Sequence, residues 1–295
     1  METRINLNLK GKNKKRRFSR RSLLFLPALN PNCYEKAISG EADSIIFDLE
    51  DSISISGKGI ARENLSKFFP RDYKGKKELI IRINNTRSDF YKEDLNLVLK
   101  LKPNTICLPK VEDPKEIKDL ENILKKCKSF DKGPIEVLVI IETSKGYLNA
   151  REILSSSKII NGTLLGVEDL VSQFKIKRKK LWEMPLISHM IAELAVIAAG
   201  CKVNYFGPVV RGYKNKKQKK ILKQESLYMR NLKAVGMGAI HPNQLKIINK
   251  IFTDLPENFE TKEIRKKLDE AEKKGYSVIG FKGEMIERNS SSNMP

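Results

Sequence analysis

Acidic side chains recur in this sequence at one kind of place, just after short apolar runs. Asp48, Glu50 and Asp51 follow SIIF (44–47), Glu142 follows VLVII (137–141), and Glu168-Asp169 come soon after TLL (163–165). Arg82 lies inside LIIRI (79–83). Pro27-Ala28, Asn84-Asn85, Pro109-Lys110, Gly207-Pro208 and His241-Pro242 hold the equivalent place after other runs. Read alone, Asp51 or Asp169 would serve as a helix N-cap. Taken together, polar residues repeated at equivalent strand ends imply a polar crater. Glu142 and Asp169 have no histidine or cysteine nearby, and such hard oxygen ligands suit Mg²⁺, which keeps several waters and takes its remaining ligands from substrate. Zinc would call for His or Cys, and the only histidines are His189 and His241. His189 falls in an apolar helical stretch and reads as structural; His241, before a proline, reads as a capping or packing residue. Lys110 could form a Schiff base in another kind of aldolase, but beside two carboxylate ligands an ion-pair role fits better.

The elements that position these groups follow from periodicity. Short runs at 22–26, 44–47, 79–83, 105–108, 137–141, 163–165, 204–206 and 237–240 are apolar on both sides, as strands buried on both faces of a parallel sheet should be. Helix-compatible stretches lie between them, for example 113–127 and 182–199. The spacing of about 30 residues is the length of a βα unit. Eight units make an α/β chain of the (β/α)8 TIM-barrel kind, with a doubly wound sheet as the competitor. The expected organisation is a flexible basic arm (1–18), the barrel (19–252), and a C-terminal helix and lid segment (253–295), the helix being the amphipathic stretch 260–274.

Composition narrows the class further. The 295 residues are 40% hydrophobic and 32% charged, enough for a substantial core. No run of eighteen apolar residues exists to span a bilayer, so no membrane partner is expected. Cys33, Cys107, Cys127 and Cys201 are widely spaced and form no CxxC pair, and residues 1–22 hold no apolar leader core. Free thiols in a reducing, cytoplasmic setting are expected, with Cys107 buried in its strand. Lys+Arg number 57 against 36 Asp+Glu, giving +21. Much of the surplus lies in residues 1–21 and in the clusters 175–180 (KIKRKK) and 214–220 (KNKKQKK). These read as solvated surface, or as contacts for a small polyanion such as a nucleotide-bearing cofactor. Aromatics do not interleave with the basic runs, which weighs against nucleic acid as a partner.

Several segments in register carry a resemblance. ADSIIFDLED (42–51), RIN (82–84), LPKVE (108–112), IET (141–143), GVED (166–169) and AIHPNQ (239–244), preceded by RRSLLFLP (20–27), resemble the citrate lyase β-subunit family of CoA-ester lyases, within the wider pyruvate-type metal aldolases. The likeness runs from about residue 16 to about residue 250. It implies a (β/α)8 fold and reversible aldol (Claisen-type) cleavage of a 3-hydroxyacyl-CoA or carrier thioester of the malyl, citramalyl or citryl type. The family's Mg²⁺ ligands, with Mn²⁺ as substitute, fall on Glu142 and Asp169, and its substrate-binding arginine on Arg82. Asp48, Glu50 and Asp51 fall where the family lines its metal, water and substrate shell. Arg21, Lys58 and Arg62 fall where similar proteins touch the nucleotide of CoA. A homo-oligomer, trimer or hexamer, is implied, as are citrate lyase partner subunits if the chain works within that complex.

Two departures stand out. Relatives with a C-terminal lid carry Gly-x-Met-Ile-Asp, whose aspartate acts as acid or base in a neighbouring subunit's site. Here Gly283-Glu284-Met285-Ile286-Glu287 supplies Glu287 in its place. An acidic segment at the seventh strand is also missing, replaced by Val203-Asn204-Tyr205-Phe206-Gly207-Pro208-Val209-Val210. Against a lyase stand a malyl-CoA thioesterase, a citrate lyase complex subunit acting on a carrier-bound substrate, and a basic nucleic-acid-binding protein that has lost the chemistry.

Overall fold

The computed structural model describes residues 18–126, 135–253 and 259–287. Cys127 and, but for Phe18, the basic arm lie outside the described residues. Eight strands close into one parallel barrel: β1 (Ser22–Pro27), β2 (Ser44–Asp48), β3 (Glu78–Arg82), β4 (Thr105–Leu108), β5 (Glu136–Ile141), β6 (Ile160–Leu165), β7 (Asn204–Gly207) and β8 (Gly236–Ala239). Each strand pairs with its successor, and β8 closes on β1 with Met237 opposite Ser22. These are the eight runs read from the sequence, β6 starting earlier, at Ile160, than its TLL core. Closure in sequence order excludes the doubly wound sheet.

The connecting helices are α1 (Asn32–Ser39), α2 (Lys58–Phe68), α3 (Tyr91–Leu101), α4 (Pro114–Lys126), α5 (Ser144–Leu148), α6 (Ala150–Ser155), α7 (Val167–Gln173), α8 (Pro185–Gly200), α9 (Lys216–Asn231) and α10 (Leu245–Phe252). In α8, Pro185 occupies the first turn, where its missing N–H is no loss. Its buried stripe of Ile187, Met190, Ile191, Leu194 and Ala198 packs inward. His189 is on the other face, its side chain 72% exposed and 3.2 Å from Glu193 one turn on, so it meets solvent and not the core.

Strand alternation sorts the barrel interior into layers, because every second residue faces the same way. On β2, β3 and β4 the lowest inward layer is Ser44, Glu78 and Thr105, and the layer above is Ile46, Ile80 and Cys107. Leu23, Leu138, Ile140, Leu164 and Phe206 complete the apolar middle. Cys107 is buried as expected, and burial pushes its thiol well above the usual range. Two residues further along the same face come Asp48 on β2, Arg82 on β3 and, just past β5, Glu142. The apolar layers fill the barrel below, so these groups can only open upward.

The chain divides after Phe252 into two compact units. The second holds α11 (Phe259–Lys273) and an antiparallel hairpin of β9 (Val278–Phe281) and β10 (Glu284–Glu287). Ile264, Leu268, Phe281 and Ile286 form its own apolar cluster. Among the described residues no helix is long and apolar enough to cross a membrane.

Candidate active site

Register explains the first part of the site. Asp48 is the partner of Arg82 across β2 and β3. The guanidinium donates Nε to Asp48 Oδ1 and Nη2 to Oδ2, both at 2.7 Å, while Nη1 lies 3.0 Å from Glu50 Oε2. Burial alone would raise the Asp48 carboxyl, but the Arg82 charge and the donors of Arg82, Ser52 and Glu50 outweigh it and hold it below the usual range. Burial would likewise lower Arg82, yet Asp48 and Glu50 hold it well above its ordinary value. The phenyl ring of Phe25 lies 5.1 Å from the guanidinium carbon.

Lys110 joins this pair to the other carboxylates. It follows β4 in the left-handed region, φ 53°, and its amide donates to Glu142 Oε1 at 2.9 Å. Its ammonium pairs with Glu50, lies 2.9 Å from Asp51 Oδ1, and stands 3.9 Å from Asp169 Oδ1. The ion-pair role, and not a free amine, is what the geometry gives; these partners keep its pKa above the ordinary lysine value despite burial. Asp169 is in the first turn of α7, and the N-cap of that helix is Gly166. Gly166 has a second duty: a Cβ there would collide with the Cβ and Oε2 of Glu142. The bare glycine is the cradle that lets Glu142 rise into the site.

Glu142 is 3% exposed, and its carboxyl is pushed well above the usual range by burial first and then by the charges of Asp169 and Glu50. Five carboxylates (Asp48, Glu50, Asp51, Glu142, Asp169) thus share two cations, Arg82 and Lys110. That deficit of positive charge fits a divalent cation held by Glu142 and Asp169. Among the described residues no three His, Cys, Asp or Glu form a ready metal cluster. A cation here would therefore complete its shell with water and substrate, as Mg²⁺ does. A cavity of about 270 Å³ opens over these groups, with Phe25, Leu165, Val209 and Ile240 as its apolar wall. Pro208 and Val209 belong to the seventh-strand sector, so the missing acidic segment leaves that wall apolar.

The three residues expected at the CoA nucleotide all have partners within the chain. Arg21 precedes β1 at the opposite, amino end of the barrel, where it chelates Asp43 at 2.8 and 2.9 Å beside a separate cavity of about 890 Å³. Lys58 is buried and directs its ammonium to Leu49 O, Glu50 O and Asn84 Oδ1. Arg62 pairs with Asp94 at 3.1 Å and with Glu93. In each case carboxylates or carbonyls of the chain itself meet the cation. Glu287 ends β10 opposite Val278 and is exposed, in the second unit. His241 does cap: its Nδ1 accepts from the Asn243 amide at 3.1 Å, and its ring stacks on Tyr213.

Some participants went unread. Arg178, inside the cluster taken as solvated, is only 16% exposed and holds Glu168 on the cavity wall at 3.1 Å while also pairing with buried Glu225. Arg211 reaches the same Glu168 from the loop after β7. Asp94, fully buried behind Asn84, was also missed. An arginine amid lysines was the available signal, since Arg is the better buried ion-pair partner.

The described family HpcH/HpaI aldolase/citrate lyase matches residues 21–242, which include every crater residue above. The chain belongs to this family. It is a citrate lyase β-like member of the CoA-ester lyases, a family of carbon–carbon lyases. It is similar to the citrate lyase subunit beta of Leuconostoc mesenteroides subsp. cremoris, 30% identical over 91% of this chain and 89% of that protein. The (3S)-malyl-CoA thioesterase of Cereibacter sphaeroides (strain ATCC 17023) is 27% identical over 90% of this chain and 89% of its own length. Among solved structures, CitE from Mycobacterium tuberculosis in complex with magnesium, acetoacetate and coenzyme A superposes with TM-score 0.76 at 21% identity, covering 94% of this chain and 96% of that one.

Proposed function

We propose that the protein is a Mg²⁺-dependent lyase, with Mn²⁺ as substitute, that cleaves or forms the C–C bond of a 3-hydroxyacyl-CoA of the malyl, citramalyl or citryl type. The products are acetyl-CoA and a 2-oxo acid. The observation that carries this reading is the carboxylate surplus around one fixed guanidinium. The CitE complex with magnesium and coenzyme A adds support. Glu142 and Asp169 would hold the metal, which when bound supplies Lewis-acid polarisation of the hydroxy-acid oxygens.

The chain's own residues do the rest. In cleavage a crater carboxylate takes the proton of the substrate hydroxyl as that oxygen becomes a carbonyl, the C–C bonding pair passes to the carbon next to the thioester as an enolate, and that carbon then takes a proton. Asp48 and Glu50 take three of the five N–H donors of Arg82, and the remaining edge can meet an oxygen on which charge develops. Lys110 offsets the negative charge of Glu50 and Asp51 beside the substrate. The apolar wall of Phe25, Val209 and Ile240 excludes water from the enolate. Glu287 is assigned the proton donor on the resemblance alone, acting within a homo-oligomer.

A second reading comes from the 30% identical citrate lyase subunit beta: the same chemistry on a citryl group held by a carrier protein, with partner subunits. A thioester panel with Mg²⁺, scored by mass spectrometry, separates the readings. Acetyl-CoA with a 2-oxo acid supports the lyase; free CoA with the intact hydroxy acid supports a thioesterase; turnover of carrier-bound citryl alone supports the complex subunit. No turnover of any thioester, together with wild-type behaviour of Glu142→Ala in Mg²⁺ binding, rejects the proposal.

A further inference from the structure

Lys58 lies on the core-facing stripe of α2, in step with Ala61 and Leu65. It is 7% exposed, and its ammonium donates to Glu50 O (2.8 Å), Asn84 Oδ1 (2.8 Å) and Leu49 O (2.9 Å). Three acceptors take all three ammonium hydrogens. The Phe90 ring covers the group at 5.6 Å. Asn84 is fixed in turn: its side-chain amide donates to Asp94 Oδ2 at 2.6 Å and to Leu49 O at 3.0 Å, and its backbone N–H meets the same Asp94 oxygen at 2.9 Å. Arg62 holds the other Asp94 oxygen. A buried ladder of Arg62, Asp94, Asn84 and Lys58 therefore ends on the backbone of residues 49–50.

The turn held in this way carries the carboxylates that meet the crater's two cations. Glu50 contacts Arg82 Nη1 and the Lys110 ammonium, and Asp51 contacts Lys110. Where Lys58 sets the Leu49 and Glu50 carbonyls, it also sets the approach of Glu50 to Arg82. No neutral side chain offers three donors from a single atom, which explains a lysine on an otherwise apolar stripe.

We propose that Lys58 is a positioning residue: it fixes the turn at residues 49–51 and, through Glu50, the orientation of Arg82 and Lys110, without itself touching substrate. This rests on the lyase reading of the crater. Lys58→Met is compared with wild type and with Lys67→Ala, a change at an exposed lysine of the same helix. The expected result is a fall in kcat of about 10- to 100-fold with KM unchanged within about threefold, and unaltered affinity for CoA in calorimetry. A KM raised about tenfold or more with kcat kept would mean a contact with the nucleotide and would overturn the proposal.

Amide hydrogen exchange supplies a readout independent of turnover. The amides of Glu50 and Ser52 donate to Asp48 at 2.9 and 3.2 Å. Both should exchange faster in Lys58→Met while Ile46 and Ile80 keep their protection. Equal protection of Glu50 and Ser52 in the two proteins would overturn the role even if wild type cleaves no thioester, an outcome that by itself rejects only the lyase reading. Should Lys58→Met not fold, Lys58→Gln, which keeps two donors, is read by the same criteria.

Discussion

Asp48 and Arg82 face each other in register on adjacent strands, and their side chains repeat that pairing with two hydrogen bonds of 2.7 Å. A carboxylate gripping Nε and Nη2 fixes the plane of the guanidinium, so its free edge has one direction. Lysine at this position would neutralise Asp48 but present a point charge with no fixed plane. Arg82→Lys should fold normally and lose about 100-fold or more in kcat, as does removal of a donor to a developing oxyanion elsewhere. Steady-state kinetics beside circular dichroism checks this; a kcat near wild type removes Arg82 from the chemistry.

Gly166, in the β6–α7 turn, leaves the space that Glu142 fills. An alanine methyl would meet Glu142 Cβ and Oε2, so one of the two must move. Overpacking of this kind costs about 1–3 kcal/mol in stability. The displaced carboxylate should also raise half-saturating Mg²⁺ by about tenfold. Metal titration followed by activity and by calorimetry tests both effects; an unchanged Mg²⁺ requirement would show that Glu142 does not hold the metal.

Glu142 also makes a pH prediction. Its folded-state pKa is raised by burial and by Asp169 and Glu50, so the folded chain binds this proton more tightly than the unfolded chain does. Its contribution to stability is full below the ordinary glutamate range and is lost as pH rises through the raised value. Without divalent metal, melting temperature should therefore fall over that window, and Mg²⁺ should restore it most at the high-pH end. Activity should show the opposite limb, dropping as pH falls and Glu142 becomes protonated. In Glu142→Gln the metal-dependent rise in melting temperature should vanish; its persistence points to other ligands.

The barrel and its crater were legible because strand periodicity and strand ends are local. Asp48, Arg82, Glu142 and Asp169 each announce themselves by following or ending an apolar run. The partners of Lys58, Arg62 and Arg21 were not legible, because a cation in sequence carries no sign of where its counter-charge is. Asp94 is 36 residues beyond Lys58, yet it decides through Asn84 that this lysine faces inward. The stripe of Lys58, Ala61 and Leu65 was the one local hint. His189 failed for the reverse reason: α8 is apolar on nearly every face, so composition could not say which side met the barrel.

Glu78 offers a prediction about the floor of the barrel. Fully buried, it accepts from Arg20 Nε and Nη2 at 2.7 Å, from Ser44 Oγ at 2.9 Å and from Thr105 Oγ1 at 2.5 Å. Glu78→Leu would leave Arg20 with Glu136 alone and remove the acceptor of the Ser44 and Thr105 hydroxyls, and breaking a buried pair in this way costs about 3–5 kcal/mol. Adding Arg20→Met removes the uncompensated charge, so the double variant should be more stable than Glu78→Leu alone, although it carries one more change. Denaturant unfolding of the four proteins gives the coupling. Because the apolar middle layer separates this network from the crater, kcat of the folded variants should stay near wild type. A large loss of kcat at full folding would mean that the floor and the crater are mechanically linked, and additive destabilisation would mean that Arg20 and Glu78 do not act as a pair.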